Sequence, residues 1–327
     1  MISRLAAVAV VVGVVGLTPG QSTGQSPGQS DPREGWRLVP ENGLSAMLDC
    51  LEAEGRSLVS AHRGGPSPGL PENAVPTMDA VLTAIPAVME VDVAQSADGV
   101  PFLLHDDTLE RTTTGTGEAA AKDWADLASL RLTDGAGWVT PYAIPTLAET
   151  LDWAKGRTVL QIDFKRSAPY ADVIDLIRAR DMETSVILIA YSAASAKKLH
   201  DLAPQAMISL SIESPGALGQ AVAAGIPAER IIAFTGTRLA RPDLYRALER
   251  ADVEVIFGTL GRPPYSIDSV IDRFGTPERY AELSQGGVDV IATDAPREAA
   301  AALAEAERLP EAGMCGVERG AAAGGGI

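Results

Sequence analysis

The chain is short of histidine, cysteine, aromatic side chains and positive charge. Its 327 residues include three histidines, two cysteines and 5% aromatics, and 27 Lys and Arg face 43 Asp and Glu for a net charge of −16. That deficit of cations excludes a general nucleic-acid binder, which needs a basic face to release counterions. An anionic small substrate remains compatible only where a cation or local Arg and Lys offset the field. Cys50 and Cys315 allow one bridge at most, or two free thiols. Long apolar runs are also lacking, with one exception, MISRLAAVAVVVGVVGLTPG. There Arg4 precedes an apolar stretch from Leu5 to Leu17 that is too short for a comfortable membrane span. It reads as an export signal over residues 1–20, with an uncleaved N-terminal anchor as the alternative. A periplasmic or secreted protein with no stable membrane anchor after cleavage is expected. Residues 21–42, rich in Gly, Ser and Gln, read as flexible linker.

What the chain does have is alternation. Short β-branched runs fall at residues 57–62, 87–93, 158–165, 185–191, 206–213, 230–236, 253–259 and 289–294. Between them lie helical segments such as TLAETLDWAKG, YADVIDLIRARD, SAKKLHDLA and DLYRALERA. Strand–helix alternation predicts a parallel sheet, and eight repeats predict a (β/α)8 TIM barrel over residues 43–308, an open doubly wound sheet being the alternative. After the second strand, Ala97-Asp98-Gly99 turns the chain into PFLLH, an extra strand that pairs back. An insertion to about Pro145 follows, with a helical piece in AKDWADLASL. It falls at the end of the barrel where active sites sit. Residues 309–327 read as a low-complexity tail.

Side-chain alternation along the strands then sorts the polar residues. If Met89, Val91 and Val93 face the helices, Glu90 and Asp92 face the barrel axis. The same parity turns Gln161, Asp163 and Lys165 inward, and Ser60 and His62 with them. Isolated carboxylates in a core are costly, so such groups are paired, protonated or metal-bound. Three of them with few cations nearby suggest a divalent ion, and oxygen donors suit Mg²⁺ or Ca²⁺ better than Zn²⁺. The plainer alternative is a set of solvated strand ends with Lys165 pairing Asp163 or Asp92. His62 ends the first strand and His105 ends the extra one, so two imidazoles flank the acids and can move protons. His200, on a basic helix face, reads as a surface or packing residue. Arg63 and Lys165 are cations fit to hold a phosphate. Together these parts point to phosphodiester hydrolysis, although proton abstraction beside a carboxylate would use similar ones. Glu213, inward by parity at the end of the fifth strand, is a further pocket candidate.

The chain resembles the glycerophosphodiester phosphodiesterase family. The resemblance rests on His62-Arg63-Gly64-Gly65, Pro71-Glu72-Asn73, Glu90-x-Asp92, His105-Asp106, Leu109-x-Arg111-Thr112-Thr113, Gly115-x-Gly117, Asp163-x-Lys165 and Ala292-Thr293-Asp294-Ala295-Pro296. It implies a (β/α)8 barrel and metal-dependent cleavage of a small-molecule phosphodiester to glycerol 3-phosphate and an alcohol. Carried over, it implies Glu90, Asp92 and Asp163 as metal ligands and His62 and His105 as the acid–base pair. It likewise implies Arg63 and Lys165 on the phosphate, with Glu72 orienting Arg63 or the metal shell. Two departures stand out. Asp163 replaces the family's usual Glu, one methylene longer, so the third ligand is expected to reach a metal through water or to draw it toward that strand. Phe257-Gly258-Thr259-Leu260 replaces a Trp-Thr pattern at what is expected to be the alcohol side of the pocket. Two alternatives remain: a phospholipase D- or C-like hydrolase of lysophospholipids or inositol lipids, and a catalytically silent barrel that only binds. The first needs exposed aromatics or an apolar groove at the mouth, which the low aromatic content argues against. The second predicts a missing histidine or carboxylate, and none is missing.

Overall fold

The structure, a computed structural model, describes residues 35–320. The expected export signal, the linker up to residue 34 and the last seven residues of the tail lie outside the described residues. In chain order the strands are β1 (Gly35–Leu38), β2 (Leu58–Ala61), β3 (Ala87–Gln95), β4 (Pro101–Leu103), β5 (Leu160–Phe164), β6 (Val186–Ala190), β7 (Met207–Ser211), β8 (Ile231–Phe234), β9 (Val255–Gly258), β10 (Val290–Thr293) and β11 (Val317–Gly320). Eight of them run parallel around a wall, β2-β3-β5-β6-β7-β8-β9-β10, and β2 pairs with both β3 and β10 to close it. This is the predicted (β/α)8 barrel, and closure rules out the open sheet. β4 lies antiparallel on β3, with Val93 opposite Leu103, as the hairpin signal indicated.

Strand parity fixes what fills the barrel. Leu58, Val88, Val159, Ile187, Met207, Ile232, Ile256 and Val290 point inward at the end where the strands begin. There they pack on Leu44, Met47, Leu48 and Leu51 of the helix Leu44–Ala53, which plugs that end. Burying each such side chain contributes about 1.5–3 kcal/mol. The plug makes one end of the barrel dry, so polar residues further along the strands open only toward the other end. The outer face packs Met89, Val91, Val93, Leu160 and Ile162 against the helices.

Two segments differ from their sequence reading. Gly35–Leu38, expected as linker, and Val317–Gly320, expected as tail, pair antiparallel with Leu38 opposite Val317. Both of those residues are buried in the cluster beneath the barrel. Cys50 and Cys315 are bridged, with Cα atoms 5.7 Å apart, which anchors the second segment to the plug helix. Between Cys315 and Val317, Gly316 has φ +80 and a Cβ there would meet the Val39 carbonyl oxygen at 2.5 Å, so only glycine fits. The pairing joins opposite ends of the described chain, and local pattern carries no signal for it.

The insertion after β4 has its own small core of Phe102, Leu104, Leu109, Leu127, Leu132 and Ile144. Its expected helix is Trp124–Ala128.

At the plugged end Glu254 is 3% exposed, and neither carboxylate oxygen meets a donor. Burial, with the charges of Asp49 and Asp289, pushes its pKa up to about 9. The neutral acid can then donate to Asp49. The folded state therefore keeps a proton that the unfolded chain releases above about 4.5, so this residue's contribution to stability falls as pH rises from there toward 9. Glu254→Gln is expected to raise the urea midpoint at pH 8 by the equivalent of several kcal/mol, about 1.4 kcal/mol for each pH unit above 4.5, with little change at pH 4.5. An equal shift at both pH values would show that the carboxyl does not titrate in this way.

Candidate active site

At the open end, the register Asp92↔Asp163 and Glu90↔Gln161 between β3 and β5 sets the acids side by side. Oxygens of Glu90, Asp92 and Asp163 lie within 4.8 Å of one another, and all three residues are buried. The shorter Asp163 does converge with the other two. His62, His105 and Lys165 line the same cavity of about 210 Å³. Lys165 Nζ sits 2.6 Å from Asp92 and 2.7 Å from Asp163. Asp92 is the most tightly held of the acids. Asn73 Nδ2 donates to it at 2.7 Å, and its own backbone N–H donates back to Asn73 Oδ1 at 2.9 Å. Burial alone would raise the Asp92 pKa, but Lys165 and Asn73 outweigh it and the net direction is down. Glu90 moves the other way, because burial and the charge of Asp92 exceed what His62 and one N–H offset.

That N–H belongs to Arg63, which donates to Glu90 Oε2 at 2.7 Å. It reaches there because Arg63, Gly64 and Gly65 all have positive φ, turning the chain sharply where β2 ends. At Gly65 a Cβ would meet Val81 at 2.9 Å and Pro296 at 3.0 Å, which accounts for the glycine in His-Arg-Gly-Gly. The Arg63 side chain reaches Glu72 at 3.1 Å and lies 3.7 Å from Asp92. Glu72 also accepts two bonds from Arg111, each 2.8 Å. Arg111 in turn grips Asp106.

Both imidazoles are oriented by an aspartate. His62 Nδ1 lies 2.6 Å from Asp294 Oδ1, and His105 Nδ1 lies 2.6 Å from Asp106 Oδ1. A carboxylate only accepts, so each Nδ1 carries the proton and each Nε2 is left for the cavity. Burial would lower the His62 pKa, but Asp294 and Glu90 outweigh it and the net direction is up. Asp106 is held far below the usual carboxylate range, first by Arg111. The far wall of the cavity is apolar, with Ile189, Phe234 and Leu260.

Eight of the nine site residues expected from sequence gather at this end: His62, His105, Glu90, Asp92, Asp163, Arg63, Lys165 and Glu72. Glu213 does not. β7 ends at Ser211, the chain then turns away, and Glu213 is exposed with its carbonyl on Arg241. Of the Phe257–Leu260 run only Leu260 lines the cavity, while Phe257 packs in the outer core. His200 lies on the helix Ala193–Leu202, outside the cavity lining. Sequence reasoning missed Asp294, Tyr191, Asn73, Asp106 and Arg111 as site residues. Parity could have found Asp294 at the end of β10 and Tyr191 after β6, whose hydroxyl donates to Asp163 at 3.0 Å. The other three sit in loops, where parity does not apply.

A (β/α)8 barrel with an acidic, imidazole-flanked centre at its C-terminal mouth defines a class of barrel hydrolase sites. The model of the glycerophosphoryl diester phosphodiesterase family matches residues 62–298, and the chain belongs to that family. It is similar to the crystal structure of a glycerophosphoryl diester phosphodiesterase from Parabacteroides distasonis, 31% identical, TM-score 0.72, covering 84% of this chain and 95% of that one. A glycerophosphodiester phosphodiesterase of Caldanaerobacter subterraneus is 28% identical over 47% of this chain and 66% of its own length. Glycerophosphodiester phosphodiesterase 1 of Bos taurus is 40% identical over a shorter stretch, 21% of each chain, so this chain matches about a fifth of that relative's length.

Asn73 has φ 55 and holds a buried carboxylate through two bonds. Asn73→Ala is expected to lower stability by about 2–3 kcal/mol in urea unfolding, from the lost donor and the left-handed backbone together. Asn73→Gly should recover only the backbone part. An unchanged midpoint in Asn73→Ala would show that Asp92 does not depend on it.

Proposed function

We propose that the protein hydrolyses glycerophosphodiesters to glycerol 3-phosphate and an alcohol, assisted by a divalent cation held by Glu90, Asp92 and Asp163. The observation that carries this reading is the convergence of those carboxylates within 4.8 Å in a cavity shared with two imidazoles. The residues fit a cation. Glu90, Asp92, Asp163, Glu72, Asp106 and Asp294 are offset only by Arg63, Lys165 and Arg111, and a phosphodiester brings further negative charge. The all-oxygen donor set supports Mg²⁺ or Ca²⁺. When bound, such an ion would polarise the phosphate oxygens and neutralise charge that builds on them.

The remaining work falls to side chains. Arg63, braced by Glu72, and Lys165, braced by Asp92 and Asp163, hold the phosphate. Water adds to phosphorus and the bond to the alcohol oxygen breaks. One imidazole Nε2 takes the proton from water, and the other, entering the step as an imidazolium, gives its Nε2 proton to the leaving oxygen; proton exchange with solvent then restores both rings. Asp294 and Asp106 keep the two rings in the tautomer that allows this. The apolar wall of Ile189, Phe234 and Leu260 faces the carbon part of the substrate. Export from the cytoplasm is supported by the Cys50–Cys315 bridge, which needs an oxidising compartment to persist.

Purified protein should release glycerol 3-phosphate from glycerophosphocholine in the presence of Mg²⁺ or Ca²⁺, and lose that activity on chelation. His62→Ala and His105→Ala should each reduce kcat by roughly 10²–10⁴-fold, the usual contribution of a positioned proton-transfer group. Turnover that survives chelation would remove the cation from the mechanism, and full turnover in either variant would remove that histidine.

A further inference from the structure

The low aromatic content predicted a mouth without exposed rings, and the structure corrects this. Of eight large apolar side chains left exposed among the described residues, five lie in the loops that follow strand ends at the mouth: Trp138, Val139, Tyr191, Leu239 and Tyr265. Trp138, Leu239 and Tyr265 are 75%, 72% and 87% exposed. They occupy one arc. Leu239 follows β8 and Tyr265 follows β9, neighbours in the wall, and β10 and β2 come next. Trp138 sits at the tip of a hairpin whose Asp134 accepts the Gly69 N–H at 2.9 Å, which ties it to the loop after β2. The same Asp134 accepts the N–H groups of Ala136 and Trp138, so the tip is held in shape with its indole outward.

Charge follows the same division. Residues 135–148, 230–242 and 255–267 contain no acidic residue in a chain with 43 of them. Two of these stretches carry an exposed arginine beside the apolar group, Arg238 next to Leu239 and Arg262 close to Tyr265, and neither arginine makes an ion pair among the described residues. The plugged end is the reverse, with Asp49, Glu52, Glu249, Asp252, Glu254 and Asp289 close enough to shift one another. Acid-free stretches that carry two arginines without ion pairs among the described residues suit contact with an anionic surface, as the acid-rich plugged end does not. Indole and phenol rings with flanking arginines are the side chains that settle at a lipid–water boundary.

We propose that this arc docks the barrel mouth on an anionic lipid surface, with Trp138, Leu239 and Tyr265 entering the boundary and Arg238 and Arg262 meeting head-group phosphates. Docking delivers the cavity to the plane where lipid-derived phosphodiesters lie, and it needs no catalysis. The test is co-sedimentation of the full chain with vesicles of phosphatidylcholine alone and of equal parts phosphatidylcholine and phosphatidylglycerol. The protein should partition onto the anionic vesicles, and the triple variant Trp138→Ser/Leu239→Ser/Tyr265→Ser should bind at least roughly tenfold more weakly. Arg238→Ala/Arg262→Ala should weaken binding to the anionic vesicles and remove the preference over the neutral ones. A brominated lipid should quench wild-type emission more than that of Trp138→Ser, a local readout that residues 1–20 do not share. All variants should keep wild-type kcat on water-soluble glycerophosphocholine and a wild-type circular dichroism spectrum, the second check standing even if the proposed activity fails. Variants that sediment like wild type, equal binding to neutral vesicles, or quenching indifferent to Trp138 would each overturn the docking surface and leave the hydrolase reading untouched.

Discussion

Three carboxylates forced to share a volume a few ångströms across are the constraint on which this molecule turns. The backbone imposes it. β3 and β5 are hydrogen-bonded in a register that places Asp92 beside Asp163, and parity adds Glu90 two residues earlier on the same face. None of these acids can swing away without breaking the wall, so everything around them compensates. Lys165 bridges two of them, Asn73 satisfies Asp92 from both its ends, and the turn at Arg63 aims a backbone N–H at Glu90. Left-handed backbone at Arg63 and Asn73 costs of order 1–3 kcal/mol at each residue. That both residues carry it is a measure of how strongly the acids need donors.

The insertion after β4 acquires a reason from the same constraint. His105 stands at its start and Arg111 within it, and Arg111 joins Asp106 to Glu72, which in turn holds Arg63. One unbroken chain of charge-assisted bonds therefore runs from one imidazole to the turn that carries the other. The two histidines come from different strands, yet their spacing is set by this chain as well as by the barrel. Its apolar underside, Phe102, Leu127 and Leu132 among others, fixes the insertion as a body, so the charged chain rests on a packed base.

How much of this was legible follows from how each residue is placed. Strand parity carried Glu90, Asp92, Asp163, Lys165 and His62, because a period of two is read directly from sequence while the strand lasts. It failed at Glu213 for the same reason, since the strand stopped at Ser211 two residues short. Asp294 and Tyr191 close the runs read at 289–294 and 185–191, so the same parity reaches both, although β10 and β6 themselves end one residue earlier. Asn73 and Arg111 lie in turns whose geometry depends on partners 19 and 39 residues away, and no local rule points to such partners. The β1–β11 pair was hidden by composition, because the glycines and polar residues around it read as linker and tail. Its buried members, Leu38 and Val317, are single apolar residues that look incidental until they meet beneath the barrel.

The two ends of the barrel divide the tasks that sequence mixes together. One end is sealed by the plug helix, crossed by the β1–β11 pair and closed covalently through Cys50 and Cys315. Its surplus acids destabilise it as pH rises, and Glu254 can remain only because apolar packing and the bridge hold that end shut. The other end spends its charges differently. Most of its acids are held by an arginine, lysine or histidine, and three stretches of the loops beyond them, residues 135–148, 230–242 and 255–267, carry no acid. A barrel built from interchangeable strand–helix units has no intrinsic top or bottom in composition, so this asymmetry has to come from the loops and termini. It follows that substitutions in the wall should affect both ends, whereas those in the mouth loops can change what the site meets without disturbing what keeps it folded.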